Sequence, residues 1–377
     1  MNLYIHVPFC ASRCTYCDFY TLTGKGLRQS FVPALLAELR LRRDELPEGE
    51  SIEHIYFGGG TPSQLSIEEL RTIFATIAEE YPTDFSHEIT IECNPDDLTE
   101  DYVQGLTSLP INRVSMGVQS FFDEDLRFLN RRHTSRQVSE SISLLQHAGI
   151  TNLSIDLIYG LPHQTLERWS ANIEQFLALS IPHLSAYHLI YEEGTALTKL
   201  VELGKVLPVS EEDSLAFFQL LIDKLRNAGY EHYEISNFAL PNCYARHNTG
   251  YWQGKSYLGL GPSAHSFDGQ RTRSYNPASL KDYVGSLLSP SPVRSKEVEL
   301  LTDEELQHEH ILTRLRTQWG ISLPIYTQLF GESSTQSLLV RATPHLQTNK
   351  LHIEEEHLRL TSQGIFVSDG IFADLFV

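Results

Sequence analysis

Short strand-like runs alternate with longer helix-like segments over the first two-thirds of this 377-residue chain, and this alternation constrains the fold most strongly. The strand-like runs cover residues 3–7, 51–57, 88–92, 113–118, 153–158 and 183–190. Helix-like segments begin at Ser66 and cover residues 135–148, 166–179 and 211–228. Strand–helix repeats of this kind require parallel strands joined by right-handed crossovers, so the sequence predicts an α/β fold.

Polar or glycine-rich clusters follow nearly every strand-like run. They are Cys10 to Cys17, Gly58 to Thr61, Glu92 to Asn94, Gln119, Asp156 and the region of Ile190. Ligands of parallel α/β proteins bind at the carboxyl ends of the strands. We therefore expect these clusters to line one mouth, although periodicity leaves open whether the sheet closes into a barrel.

The last part of the chain differs in composition from the rest. Residues 286–295 (SLLSPSPVRS) have the proline and serine content of a linker. Beyond them, residues 302–319 predict a helix with Thr302 as its N-cap. A short helix and two strand-like runs, 351–355 and 364–367, complete the chain. The pattern predicts two domains, 1–285 and 296–377, of which the second is a small winged-helix-like unit.

Three of the five cysteines, Cys10, Cys14 and Cys17, fall in one short segment. Soft thiolate ligands select zinc or iron–sulfur clusters, and three thiolates leave one iron of a [4Fe–4S] cluster without a protein ligand. Structural zinc normally takes a fourth ligand, for which His6 would have to fold back from its strand. The spacing therefore favours an iron–sulfur cluster, with zinc or coincidence as the alternatives.

Charge and cysteine usage argue against several classes of protein. The chain carries 48 acidic and 29 basic side chains, a net charge of −19, which disfavours nucleic acid as a partner. No apolar run reaches the roughly 18 residues of a transmembrane segment, and no signal peptide is visible. An odd number of cysteines without a secretory signal disfavours a disulfide framework, so Cys93 and Cys243 are interpreted as small core residues. We expect a cytoplasmic protein.

The motif C-x3-C-x2-C, followed by Asp18 and Phe19, resembles the signature of the radical S-adenosylmethionine (SAM) family. The segments YIHVPFC, GGGTP, SMGVQSF, DLIYGLP and GLGPSAHS resemble the branch that contains oxygen-independent coproporphyrinogen III oxidase, and the resemblance extends over essentially the whole chain. It implies a partial (β/α)6 TIM-like barrel with a small C-terminal domain. It also implies a [4Fe–4S] cluster held by Cys10, Cys14 and Cys17, whose open iron binds SAM.

The resemblance further implies which residues contact SAM. Tyr4 and Tyr16 would flank the cofactor. The glycine turn, residues Gly58 to Thr61, would let the backbone amides of Gly59, Gly60 and Thr61 approach its methionine end. Glu92 would bind a ribose or amino group, and residues at successive strand ends would add polar contacts. The SAM-binding residues implied in this way are Tyr4, Tyr16, Gly59, Gly60, Thr61, Glu92, Gln119, Arg131, Asp156, Ile190 and His265. Taken singly, most of them are also compatible with turns, helix caps and surface charge.

Two sequence features bear on the substrate. The oxidase has a fourth cysteine where this chain has Phe19, so oxidative decarboxylation of porphyrinogen propionates is the alternative function rather than the leading one. Residues 247–252 (HNTGYW) resemble the HNxxYW signature of the heme chaperones in this family. That resemblance implies a protein that binds heme, with His247 as the ligand residue, and delivers it to heme-accepting proteins of the respiratory chain.

A neutral imidazole is a common axial ligand of heme iron, and His247 with Tyr251 and Trp252 beside it would supply a ligand and an aromatic wall. Glycines interrupt this segment, so we expect His247 on an accessible loop near the barrel mouth. A hydrogen-bonded loop histidine with core aromatics is the structural alternative, and His265 and Cys243 are competing heme ligands. The sequence leaves open whether the chain forms a homodimer and whether it reaches the membrane through its partners.

Overall fold

A computed structural model describes residues 1–24 and 26–376, and a sheet of twelve strands forms its centre. The first six strands are parallel and lie side by side in chain order. Their bounds are β1 Asn2–Val7, β2 Ile55–Gly59, β3 Ile89–Cys93, β4 Arg113–Gln119, β5 Leu153–Tyr159 and β6 His183–His188. The six predicted strands are confirmed. β2 begins four residues later than the predicted run 51–57 and continues through Gly58 and Gly59.

Six further strands extend the sheet at both edges. The antiparallel strands β7 Glu231–Glu234 and β8 Asn237–Ala239 continue from β6, and β9 Tyr257–Leu260 pairs in parallel with β1. Beyond β9 lie the antiparallel strands β10 His265–Phe267, β11 Thr272–Tyr275 and β12 Glu297–Leu300. Within the described residues β7 and β12 are the two ends of the sheet, so the architecture is a partial TIM-like barrel.

The helices that cover this sheet begin and end where the sequence supplies capping groups. Ser66 and Glu69 form the predicted capping box, and Gly149 and Gly229 follow the ends of two helices with positive φ, as predicted. The helices are α1 Arg28–Leu41, α2 Ile67–Glu80, α3 Glu100–Leu106, α4 Asp123–Phe128, α5 Ser135–His147, α6 Leu166–Ala178, α7 Ala196–Glu202, α8 Glu211–Asn227, α9 Arg246–Trp252 and α10 Leu280–Leu287. Across residues 1–24 and 26–376, no helix combines the length and apolarity needed to cross a membrane.

The C-terminal residues form a smaller unit with its own hydrophobic core and a three-stranded sheet of order β13-β15-β14. Its elements are α11 Asp303–Leu315, β13 Ile321–Ser322, α12 Leu323–Phe330, α13 Glu332–Gln347, β14 Leu351–Glu354, β15 His357–Leu360, α14 Ser362–Ile365 and α15 Ser368–Leu375. Helices followed by a hairpin agree with the winged-helix-like architecture that the sequence predicts.

Two predicted elements of the C-terminal unit are wrong in extent or type. The helix predicted for 302–319 ends at Leu315. Residues 364–367, predicted as a strand, lie in and after α14, because the Thr361 side chain accepts a hydrogen bond from the Gly364 N–H and caps that helix. The hairpin instead turns at Glu355 and Glu356, both with positive φ, and pairs β14 with β15.

The proline- and serine-rich segment 286–295 lies between α10 and β12 and overlaps the last two residues of that helix. The predicted boundary at residue 296 assigns β12 to the C-terminal domain. In the structure β12 pairs with β11 from Thr272↔Leu300 to Tyr275↔Glu297 and so belongs to the large sheet. The chain passes to the smaller unit only after this strand.

A fully buried carboxylate holds the added strands against the first helix. Glu38 on α1 lies 3.1 Å from the Arg42 Nη1, forming a buried ion pair. The same carboxylate accepts hydrogen bonds from the Gly261 N–H (2.9 Å), the Asn276 Nδ2 (2.8 Å) and the Tyr283 hydroxyl (2.6 Å). These donors lie after β9, after β11 and on α10, so one side chain ties three parts of the extension to the barrel.

We expect the substitution Glu38→Ala to lower the free energy of unfolding by about 3–5 kcal/mol, because it removes the buried one of the two carboxylates that pair with Arg42 and leaves the buried donors of Gly261, Asn276 and Tyr283 without this acceptor. The matched control is Glu140→Ala. Glu140 also forms an i,i+4 ion pair, with Arg136 at 2.7 Å, but on an exposed helix surface. Its loss should cost no more than about 0.5 kcal/mol. Urea denaturation followed by far-ultraviolet circular dichroism measures both, and equal effects would contradict the importance of the Glu38 network.

Candidate functional site

The three motif cysteines lie on the loop that joins β1 to α1. Backbone hydrogen bonds close the base of this loop, because the Cys10 N–H donates to the Leu22 carbonyl (3.0 Å) and the Leu22 N–H to the Pro8 carbonyl (2.7 Å). Its middle is bound to the segment that follows α4, where the Thr15 N–H donates to the Leu129 carbonyl at 3.2 Å. The loop is therefore held at its base and at its centre.

Side chains from two other parts of the barrel donate hydrogen bonds to the cysteine sulfurs. The Thr61 hydroxyl lies 3.4 Å from the Cys10 Sγ, and the Arg131 Nη1 lies 3.3 Å from the Cys14 Sγ. Burial raises the pKa of the Cys17 thiol to about 11. Because the thiolate is the form that binds metals, binding of a cluster here would release protons, and the two donors would stabilise the resulting negative charge.

This set of donors fits a [4Fe–4S] cluster that keeps one iron for an outside ligand, since three thiols of one loop line one cavity. Among the described residues, no three His, Cys, Asp or Glu side chains converge on the position of a single metal ion. A [4Fe–4S] cluster binds each thiolate through a different iron and does not require such convergence. Cys93 also borders the cavity, but it is a buried core residue, as predicted.

The glycine turn after β2 fixes the position of the cysteine loop. The Gly60 N–H donates to the Val7 carbonyl (2.8 Å), and the Thr61 N–H donates to the Phe9 carbonyl (2.7 Å). A Cβ at Gly60 would lie 2.7 Å from the Phe9 carbonyl oxygen, so only glycine allows this approach. The backbone amides of Gly60 and Thr61 are therefore engaged by these carbonyls, and a contact of either residue with SAM would have to use its other atoms.

A cavity of about 410 Å³ lies at the carboxyl ends of the parallel strands, beside the cysteine loop. It brings together most of the residues singled out in the sequence. Those that line it are Cys10, Cys14, Tyr16, Cys17, Gly59, Gly60, Thr61, Glu92, Gln119, Arg131, Asp156 and Ile190. Tyr4 and His265 lie elsewhere, on a neighbouring cavity. The contact of any of these residues with SAM stays a prediction.

Two carboxyl groups in the cavity have raised pKa values because they are buried. Burial raises the pKa of Glu92 to about 7, although the Tyr56 hydroxyl donates to its carboxylate at 2.7 Å. Burial likewise raises the pKa of Asp156 to about 6. Gln119, on the strand between them, has φ of +69° at an irregularity in the pairing of β4 with β5. Strain of this kind concentrates at functional sites, where it re-aims a side chain.

Arg131 connects the cysteine loop to the strand ends. Its Nη2 donates to the Asn94 Oδ1 and to the Gly117 carbonyl, both at 2.6 Å, while its other Nη contacts the Cys14 Sγ. Asn94 belongs to the cluster that the sequence places at this edge, whereas sequence reasoning assigned no role to Gly117 or His188, which line the same cavity. Their position in the last residues of β4 and β6 was the available signal.

A second cavity, of about 860 Å³, adjoins the first and lies between the barrel and the C-terminal unit. The two cavities share Phe19, Gly59 and Glu92. Phe19, at the position where the oxidase has a fourth cysteine, is 63% exposed and borders both. The aromatic residues that line the second cavity are Tyr4, Phe19, Tyr20, Tyr251, Trp252, Tyr257, Phe267 and Phe330.

Two features predicted for His247 are wrong, its placement on a loop and its accessibility. It lies in helix α9 and is fully buried. The helix begins there because the buried Glu88 carboxylate accepts hydrogen bonds from the Arg246 N–H (2.9 Å) and the His247 N–H (3.0 Å). The His247 Nε2 lies 2.8 Å from the Tyr251 hydroxyl, and burial lowers the pKa of the imidazole to about 3. His247 lines neither cavity, and ligation of heme by it stays a prediction.

Known proteins resemble the chain over both of its parts. The sequence model of the radical SAM superfamily matches residues 4–176, and that of the HemN C-terminal domain matches residues 301–367. Heme chaperone HemW of Lactococcus lactis subsp. lactis (strain IL1403) is 32% identical over 374 residues, covering 98% of this chain and 96% of that protein. Heme chaperone HemW of Bacillus subtilis (strain 168) is 31% identical over 376 residues, covering 98% of each chain.

A solved structure resembles the whole fold. Coproporphyrinogen III oxidase (HemN) from Escherichia coli, described as a radical SAM enzyme, superimposes with a TM-score of 0.85 at 23% identity. The superposition covers 100% of this chain and 90% of that one. The partial barrel with a C-terminal domain is therefore a known architecture.

Substitution of Cys10, Cys14 or Cys17 by Ala should abolish cluster binding, because two thiolates remain where three are needed. Anaerobically reconstituted protein should contain about four iron and four sulfide per chain, as measured by chemical analysis and the visible spectrum. Cys243→Ala is the control and should retain the cluster, since this residue lines neither cavity. Loss of iron in that variant would show that the ligands are assigned wrongly.

Proposed function

The chain belongs to the HemW family of radical SAM proteins, and we propose that it is a heme chaperone that holds heme beside a [4Fe–4S] cluster and SAM. It would act in the cytoplasm and deliver heme to heme-accepting proteins of the respiratory chain, reaching the membrane only through those partners. The observation that carries the proposal is the position of Tyr251 and Trp252, which line a large aromatic cavity adjoining the cysteine cavity.

In this proposal Cys10, Cys14 and Cys17 hold the cluster and the smaller cavity holds SAM. The cluster supplies an electron and an iron atom that is open to an outside ligand. Glu92 and Asp156 offer carboxylates to the positively charged or hydroxyl groups of SAM, and Gln119 and Arg131 offer hydrogen bonds. Ile190, 63% exposed, provides apolar contact at the rim.

The larger cavity suits a porphyrin. Aromatic side chains form flat apolar walls of the kind that stack on a macrocycle. Its lining includes three basic residues, Lys255, Arg273 and Arg314, against two acidic ones, although the whole chain has 48 acidic and 29 basic side chains. Lys255 pairs with Glu53 (3.1 Å) and Arg273 with Glu309 (2.8 Å), so the two propionate carboxylates of heme would bind here by sharing or replacing these carboxylate partners.

His247 contributes to the proposed heme site indirectly, by positioning Tyr251. Its hydrogen bond to the Tyr251 hydroxyl, 2.8 Å long, orients a side chain that lines the cavity. Direct ligation of heme iron by His247 would require this bond to break and the buried ring to turn outward. The proposal therefore assigns the HNxxYW segment to the heme site and leaves open which of its atoms contacts heme.

The affinity for SAM should fall as the pH falls from 8 to 5.5, because protonation of Glu92 (pKa about 7) and of Asp156 (pKa about 6) removes negative charge from the site. Loss of a hydrogen bond to a charged group costs about 1.5–3 kcal/mol, which corresponds to roughly tenfold or more in affinity. Calorimetry on cluster-loaded protein, with iron content measured at each pH, tests this.

The variant Glu92→Gln should bind SAM more weakly at pH 8 and show a smaller dependence on pH. Asp84→Asn is the control, since Asp84 is an exposed carboxylate that lines neither cavity. An unchanged pH profile in Glu92→Gln would remove Glu92 from the cofactor site.

Reconstituted protein should bind hemin with a defined Soret band and should not convert coproporphyrinogen III to protoporphyrinogen in the presence of SAM and a reductant. Trp252→Ala should weaken hemin binding, whereas Trp319→Ala should not, because Trp319 packs against Tyr244 away from the cavity. Absorption titration and chromatography of the oxidised porphyrins measure the two activities. Formation of protoporphyrinogen would replace the proposed function by that of the oxidase.

A further inference from the structure

We propose that His310, on helix α11 of the C-terminal unit, is an axial ligand of heme iron, and that the C-terminal unit thereby completes the heme site. The inference rests on the proposed function of heme carriage. It adds a residue far from the HNxxYW segment in sequence and changes the role of His247 from ligand to positioning residue.

The larger cavity has walls from both units. The barrel contributes His6 and His265 together with Tyr251 and Trp252, while α11 and α12 contribute His310 and the apolar residues around it. A heme in this space would lie between the HNxxYW helix and α11. Any axial ligand supplied by the protein must therefore come from a side chain that lines this cavity.

Three histidines line the cavity, and their hydrogen bonds distinguish them. The His6 Nδ1 lies 3.1 Å from the Tyr4 hydroxyl and its Nε2 lies 3.1 Å from the Tyr20 carbonyl, so both nitrogens are engaged. His265 is exposed, and its ring stacks on Tyr275 with centroids 4.9 Å apart. Neither arrangement holds a free nitrogen rigidly towards the cavity.

His310 meets both requirements of a ligand, a free nitrogen and a fixed ring. Within the described residues it makes no hydrogen bond, and its ring packs edge-on against Tyr326 and Phe330 at centroid distances of 5.6 and 5.5 Å. Burial lowers the pKa of His310 to about 4, so the imidazole is neutral at pH 7 and its lone pair is available to iron. A ligand on a helix is also held more precisely than one on a loop.

The same face of α11 is attached to the HNxxYW helix. Arg314 lies one turn after His310, and its guanidinium donates to the carbonyls of Trp252 (2.9 Å) and Gln253 (2.6 Å). The guanidinium of Arg316 lies 3.9 Å from the ring centre of Trp252. These contacts fix His310 relative to the aromatic wall, as an axial ligand requires.

The test is an anaerobic hemin titration of the full-length, cluster-loaded protein, followed by difference spectra in the Soret region. His310→Phe keeps an aromatic ring against Tyr326 and Phe330 but removes the nitrogen donors. It should shift the Soret band and lower hemin affinity by at least about tenfold, since even indirect partners of a metal ligand cost that much. His308→Phe is the matched control, because His308 is on the same helix, packs against Phe376 and does not line the cavity.

Chemical rescue provides a readout that a purely structural role would not give. Adding imidazole to His310→Ala should restore the wild-type Soret position, because free imidazole can occupy the vacated space. His247→Ala should weaken hemin binding but keep the Soret position of the wild type. The assignment would be overturned if His310→Phe kept the Soret band of the wild type. It would also be overturned if the Soret band shifted in His247→Ala and not in His310→Phe. If the wild-type protein binds no hemin, the proposed function is wrong. If it binds hemin and the Soret band of His310→Phe is unchanged, only the assignment of His310 as the ligand is wrong.

Discussion

Two backbone hydrogen bonds join the glycine turn to the segment that leads into the cysteine loop, and the arrangement of the site depends on them. The amides of Gly60 and Thr61 donate to the carbonyls of Val7 and Phe9, just before Cys10. Because main-chain groups have no rotamers, these two hydrogen bonds hold the start of the cysteine loop more rigidly than side-chain contacts could. The Thr61 hydroxyl then reaches the Cys10 sulfur from the same turn. A cluster bound by the three cysteines would thus be positioned relative to the strand ends by the parallel pairing of β1 with β2.

The rest of the smaller cavity follows from the geometry of parallel strands. Residues in the carboxyl-terminal halves of β3, β4 and β5 converge because neighbouring parallel strands end at the same edge of the sheet. Arg131 joins this edge to the cysteine loop by contacting Asn94, Gly117 and Cys14. Burial of Glu92 and Asp156 in the same space raises the pKa of each. The electrostatic character of the site is therefore a product of the fold as much as of residue identity.

Sequence reasoning predicts the repeated part of this fold and fails where elements are short. The six parallel strands and the capped helices carry strong periodicity, and their existence could be predicted. Strands β8 to β12 have three or four residues each, too few to show a period, and the segments after β9 and β11 are held by the long-range contacts of Glu38. Helix α9 has seven residues and a glycine within it, and the distant Glu88 carboxylate caps its start. Because Glu88 lies far away in sequence, the burial of His247 could not be predicted locally.

The attachment of Arg314 and Arg316 to Trp252 has a thermodynamic consequence. The larger cavity is lined by residues of two units that have separate hydrophobic cores. A molecule that fills it contacts both units and therefore stabilises their association. Linkage makes this relation reciprocal, so the free energy by which the bound molecule stabilises docking of the C-terminal unit equals the free energy by which docking strengthens binding of the molecule. Displacement of the C-terminal unit from the barrel would therefore weaken binding of that molecule without any contact inside the cavity.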